Sequence, residues 1–200
     1  IVVPAIMISS PGPSAVKTSV HTAAALLLWL VSFASPSALA QEAIPPRLQI
    51  GINLLPAVIA ANKGLTNMPA DRKVSIYIVY LANNHIAEQL RRSIGRIGLI
   101  KKHKLDTRAI SIDELLTLEI EPMSTIFIAE PMKERLDELV EFSHTRRLLL
   151  FSPFKGDVGK GVATGFQVTD RVRPLVNLES LKKSKIQLKA FFLRIAVKHE

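Results

Sequence analysis

The feature that most constrains the fold is an alternation of β-branched apolar runs with stretches of helical periodicity. Val74–Tyr80, with the sequence VSIYIVY, has the β-branched and aromatic composition of a buried strand. Similar runs recur at residues 105–110, 125–129 and 147–151, and apolar residues between them repeat at helical spacing. Strands that alternate with helices need crossover connections, which favour a mainly parallel sheet covered on both faces. We therefore predict an α/β fold: a single Rossmann-like domain of three layers.

Helix start and stop signals support this order of elements. Arg47–Asn62 repeats apolar residues at helical spacing, with Pro56 placed to kink the helix and Lys63-Gly64 placed to end it. Three later helices carry capping or proline signals. They are predicted from His85 after the Asn83-Asn84 pair, from Ser111 through Leu118 with Ser111 and Glu114 as a capping box, and from Pro131 to about Ser143.

The C-terminal part of the chain departs from the alternation. Val162–Val168 and Arg171–Val176 are two strand-like runs separated by Thr169-Asp170, which predicts an antiparallel hairpin. A short helix over residues 178–185 and a closing helix over residues 189–199 are expected to follow. The closing helix is expected to bury Phe191, Phe192, Ile195 and Ala196.

Residues 1–40 have the layout of a cleaved secretory signal. An apolar run from Ala23 to Ala34 follows a basic flank, and Ala38-Leu39-Ala40 places small residues at −3 and −1. Because a membrane-spanning helix needs about 20 apolar residues, this run favours a cleaved signal over an uncleaved anchor. We predict a cut between Ala40 and Gln41, which leaves residues 41–200 as a periplasmic domain.

Charge and cysteine content narrow the function classes. The chain has 26 Lys and Arg against 17 Asp and Glu, a net charge of +9, and no Cys, which excludes disulfides and thiol chemistry. Export and the lack of aromatic residues interleaved with basic ones argue against a nucleic-acid partner. The basic clusters are either solvated surface or a source of weak attraction to an anionic membrane or cell-wall surface. They are Arg91-Arg92, Lys101–Lys104, Arg146-Arg147 and Lys182-Lys183.

Motifs for catalysis or metal binding are missing from the sequence, so we predict a non-enzymatic protein without a metal or cofactor. The loop at residues 154–161 departs from a Walker A motif, which leaves an ordinary connection or a loose anion nest. The carboxylate pairs at 113–114 and 137–138, with Glu141, are expected on exposed helix faces. The histidines lack metal-ligand spacing and are expected at the surface. Those within residues 41–200 are His85, His103, His144 and His199.

Polar residues follow the predicted parallel strands at the points where those strands end. In open α/β sheets, ligands bind beyond the carboxyl ends of the strands. We therefore expect a ligand or partner rim at this edge, with the alternative that these residues only cap helices. The candidate residues are Asn83, Asn84, Glu130, Ser152, Lys155 and Asp157.

Residues 161–196, GVATGFQVTDRVRPLVNLESLKKSKIQLKAFFLRIA, resemble the C-terminal segment of the YfiR/HmsC-like periplasmic proteins. In that family a hairpin ends in an Asn, here Asn177, and a helix, a short extended turn at residues 186–188 and a last helix follow. Val74–Tyr80 and the helix after it also resemble the first strand and helix of the family.

The resemblance implies a periplasmic, non-enzymatic regulator that forms a homodimer and contacts an envelope or inner-membrane protein. Such a protein restrains a membrane diguanylate cyclase, and so tunes cyclic-di-GMP signalling and biofilm growth. Two other classes remain open. The first alternative is a small periplasmic solute-binding component of a transport system, and the second is an enzyme that uses Asp157 or Glu130.

Overall fold

The computed structural model describes residues 43–199. The predicted signal peptide and its cut between Ala40 and Gln41 therefore lie outside the described residues. The helices are α1 (Pro46–Ala61), α2 (Gly64–Asn67), α3 (Asn84–Gly95), α4 (Ile112–Thr117), α5 (Leu136–Arg146), α6 (Leu178–Lys183) and α7 (Ala190–Ile195). The strands are β1 (Val74–Tyr80), β2 (Leu99–Ile100), β3 (His103–Ser111), β4 (Thr125–Ile128), β5 (Leu149–Phe151), β6 (Thr164–Val168), β7 (Val172–Asn177) and β8 (Val197–His199). Two 3-10 helices occupy Lys133–Arg135 and Asp157–Lys160.

These strands form one sheet in the order β2-β3-β1-β4-β5-β6-β7-β8. Neighbours from β3 to β6 pair in parallel, whereas β2 with β3 and β6 with β7 pair antiparallel. The crossover connections predicted from the alternation of strands and helices are therefore present. The fold class is confirmed: a mainly parallel α/β sheet with an antiparallel hairpin near the C-terminus.

Alternate residues of the central strands are buried on opposite faces of the sheet. In β1, Ile76 and Ile78 pack with α1 and α3, whereas Tyr77 and Val79 pack with α4 and α5. The same alternation continues along β4 and β5, since successive side chains of a strand point to opposite faces. Helices on both faces and the sheet between them give the predicted three layers.

The first helix and its end match the sequence signals closely. Pro56 lies inside α1, which ends at Ala61, just before the predicted stop at Lys63-Gly64. Gly64 itself begins α2. None of the helices in residues 43–199 is both long enough and apolar enough to cross a membrane.

The predicted closing helix is wrong in its length and in its buried face. It ends at Ile195, and Val197–His199 form β8, which pairs in parallel with β7. Phe192 is buried, but Phe191 and Ile195 are 52% and 60% exposed. Ala196 is already extended, and Val197–His199 take their backbone partners from the outer edge of β7.

Two other predictions need correction. The helix expected from Pro131 starts instead as the 3-10 turn at Lys133–Arg135 and becomes α-helical only at Leu136. His103, expected at the surface, is fully buried and its Nδ1 lies 3.1 Å from the carbonyl oxygen of Arg72. It is the first residue of β3, next to the tight β2–β3 turn, which places its ring under the neighbouring loop.

Gly165 allows β6 to approach the end of β5. A Cβ at this position would lie 2.6 Å from the carbonyl oxygen of Ser152 and 2.9 Å from Cγ2 of Val158. We predict that Gly165→Ala lowers the free energy of unfolding by about 1–3 kcal/mol, because the backbone of β5 would have to shift. Urea denaturation measures the change.

Gly159→Ala is the matched control. Its Cβ would first meet the His199 ring at 3.6 Å, which is ordinary van der Waals contact. The free energy of unfolding should then stay the same or rise slightly, because alanine restricts the unfolded chain. Equal losses in the two variants would contradict the close approach at Gly165.

Candidate functional site

The predicted rim residues lie at the carboxyl ends of β1, β4 and β5, which are adjacent and parallel. They form two clusters. Asn83, Asn84 and Glu130 follow β1 and β4, whereas Ser152, Lys155 and Asp157 follow β5. The contacts of each cluster show what its polar groups do.

Glu130 holds the loop that follows β1. Its Oε1 accepts hydrogen bonds from the backbone N–H groups of Leu81, Ala82 and Asn83, at 2.7, 2.9 and 2.9 Å. Burial raises the pKa of Glu130, but these three bonds and the charge of Lys133 outweigh burial, so that the pKa lies below its ordinary value. The carboxylate is therefore ionised at neutral pH and is occupied by its own chain.

Asn83 and Asn84 have different roles at the start of α3. The side-chain oxygen of Asn83 accepts a hydrogen bond from the backbone N–H of Ile86 at 3.0 Å, so Asn83 is the cap. Asn84 is the first helical residue, and its side chain is exposed. The capping alternative for this pair is thus correct for Asn83.

The second cluster fixes the loop after β5. The Ser152 hydroxyl donates to Oδ2 of Asp157 at 2.5 Å and accepts from the backbone N–H of Phe154 at 3.1 Å. Burial raises the pKa of Asp157, and the Ser152 hydrogen bond and the charges of Lys160 and Arg47 offset only part of that rise. Lys155, on the same loop, is exposed.

Arg47 joins this loop to the hairpin and was missed by the sequence analysis. Its Nε donates to the carbonyl oxygen of Pro153, and its guanidinium lies 4.9 Å from the centroid of the Phe166 ring. A cation over an aromatic face is attracted by the quadrupole of the ring. Arg47 lies in the first turn of α1, where nothing in the sequence marks it as a partner of residues more than a hundred positions away.

A buried polar network around Asn177 was also missed. Asn177 is the last residue of β7 and is only 7% exposed. Its Nδ2 donates to the carbonyl oxygen of Val158 at 2.8 Å, and its Oδ1 accepts from the backbone N–H of Ser180 at 2.8 Å. One side chain therefore caps α6 and anchors the 3-10 helix at Asp157–Lys160.

His144 and Ser180 extend that network to α5. The Ser180 hydroxyl donates to the carbonyl oxygen of Gly161 at 2.6 Å, and Nε2 of His144 lies 2.9 Å from the same hydroxyl. Burial lowers the pKa of His144, and the nearby charge of Lys183 lowers it further. His144 is thus a half-buried structural partner rather than a surface residue.

The chemistry available at the rim is that of intramolecular support. The two rim carboxylates already accept hydrogen bonds from the chain, and no group of three or more His, Asp or Glu placed to hold a metal is found among residues 43–199.

Two open grooves lie away from the rim. One, between α1 and α3, has a volume of about 450 Å³. The other lies beside α6 and has a volume of about 480 Å³.

Comparisons with known proteins agree with the fold and with the resemblance in the sequence. A family model described as YfiR/HmsC-like matches residues 59–197. No curated protein matches the chain.

Two solved structures are similar to this chain with a TM-score of 0.51. The "ABC domain in complex with L-Trp" from Streptococcus pneumoniae is 11% identical, with 76% of this chain and 60% of that chain covered. A conserved domain protein from Vibrio cholerae is 12% identical, with 78% of this chain and 60% of that chain covered. This chain thus spans about 60% of the length of each, and at such low identity the likeness shows the fold alone.

The hydrogen bonds of Glu130 predict a pH-dependent contribution to stability. A carboxylate whose folded-state pKa is lowered stabilises the fold fully above its unfolded value, about 4.3, and loses this effect as the pH falls through the folded-state pKa. We predict that Glu130→Gln lowers the free energy of unfolding by about 1 kcal/mol at neutral pH, since the amide accepts without charge assistance and the group is partly exposed.

Chemical denaturation across acidic pH measures this effect. The deficit of Glu130→Gln should shrink as the pH falls below about 4, where the wild-type carboxylate is protonated as well. Glu134→Gln, at an exposed position on the same segment, is the control and should change little at any pH. A deficit of constant size at all pH values would contradict the role given to the charge.

Because the Asn177 side chain makes one hydrogen bond as a donor and one as an acceptor, we expect that losing either group destabilises the fold. Asn177→Asp keeps the acceptor for Ser180 but turns the donor to Val158 into an oxygen that faces a carbonyl oxygen. We predict a loss of about 1–3 kcal/mol in the free energy of unfolding, because a buried acceptor is left without its donor. Thermal and urea denaturation measure the loss.

Acid should partly rescue Asn177→Asp, because a protonated carboxyl again carries a donor. Asn177→Ala, which removes donor and acceptor, should show no such rescue. Asn67→Asp, at an exposed position, is the control and should be nearly neutral. An Asn177→Asp variant as stable as the wild type would show that the network is dispensable.

Proposed function

This chain belongs to the YfiR/HmsC-like family, and from that premise we propose that it is a periplasmic regulator of an inner-membrane signalling protein. The observation that carries the proposal is the match of the family model to residues 59–197, which span most of the described domain. Members of the family are periplasmic and regulate a diguanylate cyclase. We infer that this protein likewise restrains a membrane diguanylate cyclase and thereby lowers cyclic-di-GMP and biofilm growth.

The contacts at the rim argue against a catalytic role for its two carboxylates. General acid–base chemistry needs a carboxyl group within hydrogen-bond reach of the substrate. Glu130 instead accepts three backbone N–H groups, and Asp157 accepts the Ser152 hydroxyl. We therefore propose that the protein acts through its surface, as a homodimer that contacts an envelope protein and not a nucleic acid.

The segment that carries the family resemblance, residues 161–196, is held together by the side chain of one residue. Asn177 ends β7, caps α6 and holds the carbonyl oxygen of Val158. It thereby fixes the hairpin, the helix after it and the loop after β5 as one unit. A regulator that binds through a surface needs such rigidity, because a preformed surface avoids the entropic cost of ordering on association.

The proposal predicts a change in cyclic-di-GMP when the gene is deleted. Without the restraint, the cyclase should be more active, so cyclic-di-GMP and surface-attached biomass should both rise. Mass spectrometry of nucleotide extracts and a biofilm stain measure the two quantities. Expression of the full chain from a plasmid should restore both to the wild-type level.

A chain that lacks residues 1–40 is the control for location. It should fail to restore either quantity, because it would remain in the cytoplasm with the same domain. Equal restoration by both chains would contradict a periplasmic site of action. Unchanged cyclic-di-GMP in the deletion strain would contradict the regulatory role and favour the solute-binding alternative.

A further inference from the structure

A lysine-rimmed groove lies beside α6 and α7, away from the rim at the carboxyl ends of the central strands. Its volume is about 480 Å³, within the range of pockets that hold small ligands. The floor is aliphatic and the edge is basic. The floor is formed by Leu178, Leu181, Ile186, Leu188 and Leu193, and the edge by Lys63, Lys182 and Lys185.

The three lysines at the edge of this groove form no ion pair with the part of the chain that the structure describes. Within residues 43–199, no carboxylate lies within ion-pair distance of Lys63, Lys182 or Lys185. Glu179, on the same helix as Lys182, pairs with Lys183 instead, at 2.8 Å. The three ammonium groups therefore favour an anion at the edge of the groove.

The lining of the groove restricts the class of ligand. Gln187 is its only uncharged polar side chain, and the floor has no aromatic ring on which a base would stack. Sugars, nucleotides and extended peptides would bring polar groups that these side chains leave without partners, which is costly. An aliphatic chain, by contrast, gains from contact with leucine and isoleucine side chains.

The backbone around the groove is held in place before any ligand arrives. The backbone N–H of Lys63 donates to the carbonyl oxygen of Gln187 at 2.8 Å, and that of Lys189 donates to the carbonyl oxygen of Ala61 at 2.9 Å. These bonds fasten the extended segment 186–188 to the end of α1. Binding in a preformed groove loses less conformational entropy than binding that must order a loop.

We propose that the lysine-rimmed groove binds a single-chain anionic amphiphile, of the fatty-acid or lysophospholipid class. The hydrocarbon chain lies on the aliphatic floor, and the carboxylate or phosphate group lies between Lys182, Lys185 and Lys63. The concave shape favours one molecule over a flat bilayer surface. This site is separate from the regulatory role proposed above, and its test does not depend on that role.

Titration calorimetry of the exported protein with octanoate, decanoate and dodecanoate, each below its micelle concentration, tests the proposal. We expect affinity to rise with each added methylene, by less than the about fourfold of complete transfer from water, because Leu181, Ile186 and Leu188 of the floor are already largely buried and the groove is open on one side. Decanoate should bind more tightly than 1-decanol, and its affinity should fall as salt is added. Absence of binding by dodecanoate would overturn the proposal.

A pair of double variants tests the location. Lys182→Gln with Lys185→Gln should weaken dodecanoate binding by about five- to thirtyfold, since each exposed charge contributes modestly. Lys133→Gln with Lys160→Gln is the matched control, because it removes the same charge at exposed positions beyond the ends of β4 and β5. The two double variants are also matched in backbone conformation, because Lys133 and Lys185 are both left-handed, with φ of 49° and 55°.

The control variant should bind dodecanoate like the wild type. Equal weakening in both double variants would show attraction by net charge alone and would overturn the site. Binding of an acidic peptide or of phosphatidylglycerol vesicles in the absence of dodecanoate binding would also overturn it, in favour of a protein or a membrane surface. All four lysines are exposed, so these outcomes do not rest on a loss of folding.

Discussion

Burial of the central strands on both faces is the constraint on which the rest of the structure depends. β1, β4 and β5 place alternate residues in two separate cores, so neither face of the sheet is left to water. Helices must then cover both faces, and successive parallel strands must be joined by crossovers. The carboxyl ends of these strands meet at one edge for the same reason, and the loops that leave the sheet begin there.

Backbone groups that leave a sheet need new hydrogen-bond partners, and the polar residues at this edge supply them. Glu130 accepts from three successive N–H groups after β1, and Asn83 accepts from the first turn of α3. In the loop after β5 the Ser152 hydroxyl accepts from the backbone N–H of Phe154, and Asp157 holds that hydroxyl in place. These bonds fix the loops at this edge, while Asn84 and Lys155 of the rim remain exposed.

The elements that sequence analysis predicts best are those determined by residues close together in the chain. β1 has the predicted bounds, Val74–Tyr80, because its β-branched residues are buried on both sides and leave no competing pattern. The capping of α4 by Ser111 was likewise predicted, since a cap depends on residues within one turn. At α3 the sequence indicated the Asn83-Asn84 pair before a helix from His85, and the structure makes Asn83 the cap and Asn84 the first helical residue. The Arg47 contacts, the Asn177 network and the burial of His103 depend on residues far apart in the chain, which periodicity and spacing do not reveal.

The same limit explains why the lysine-rimmed groove was not predicted. A helix that continued through residue 199 would satisfy the apolar spacing of Phe192 and Ala196, and the sequence contains nothing to stop it. The free edge of β7 competes for Val197–His199 and ends α7 at Ile195. Beside α6, Leu178 and Leu193 remain half-buried, whereas Leu181 and Leu188 keep only 5% and 4% of their surface exposed. The lysines of α6 and of the turn after it have the sequence pattern of solvated surface, but the fold places them around an apolar groove, which only the tertiary structure reveals.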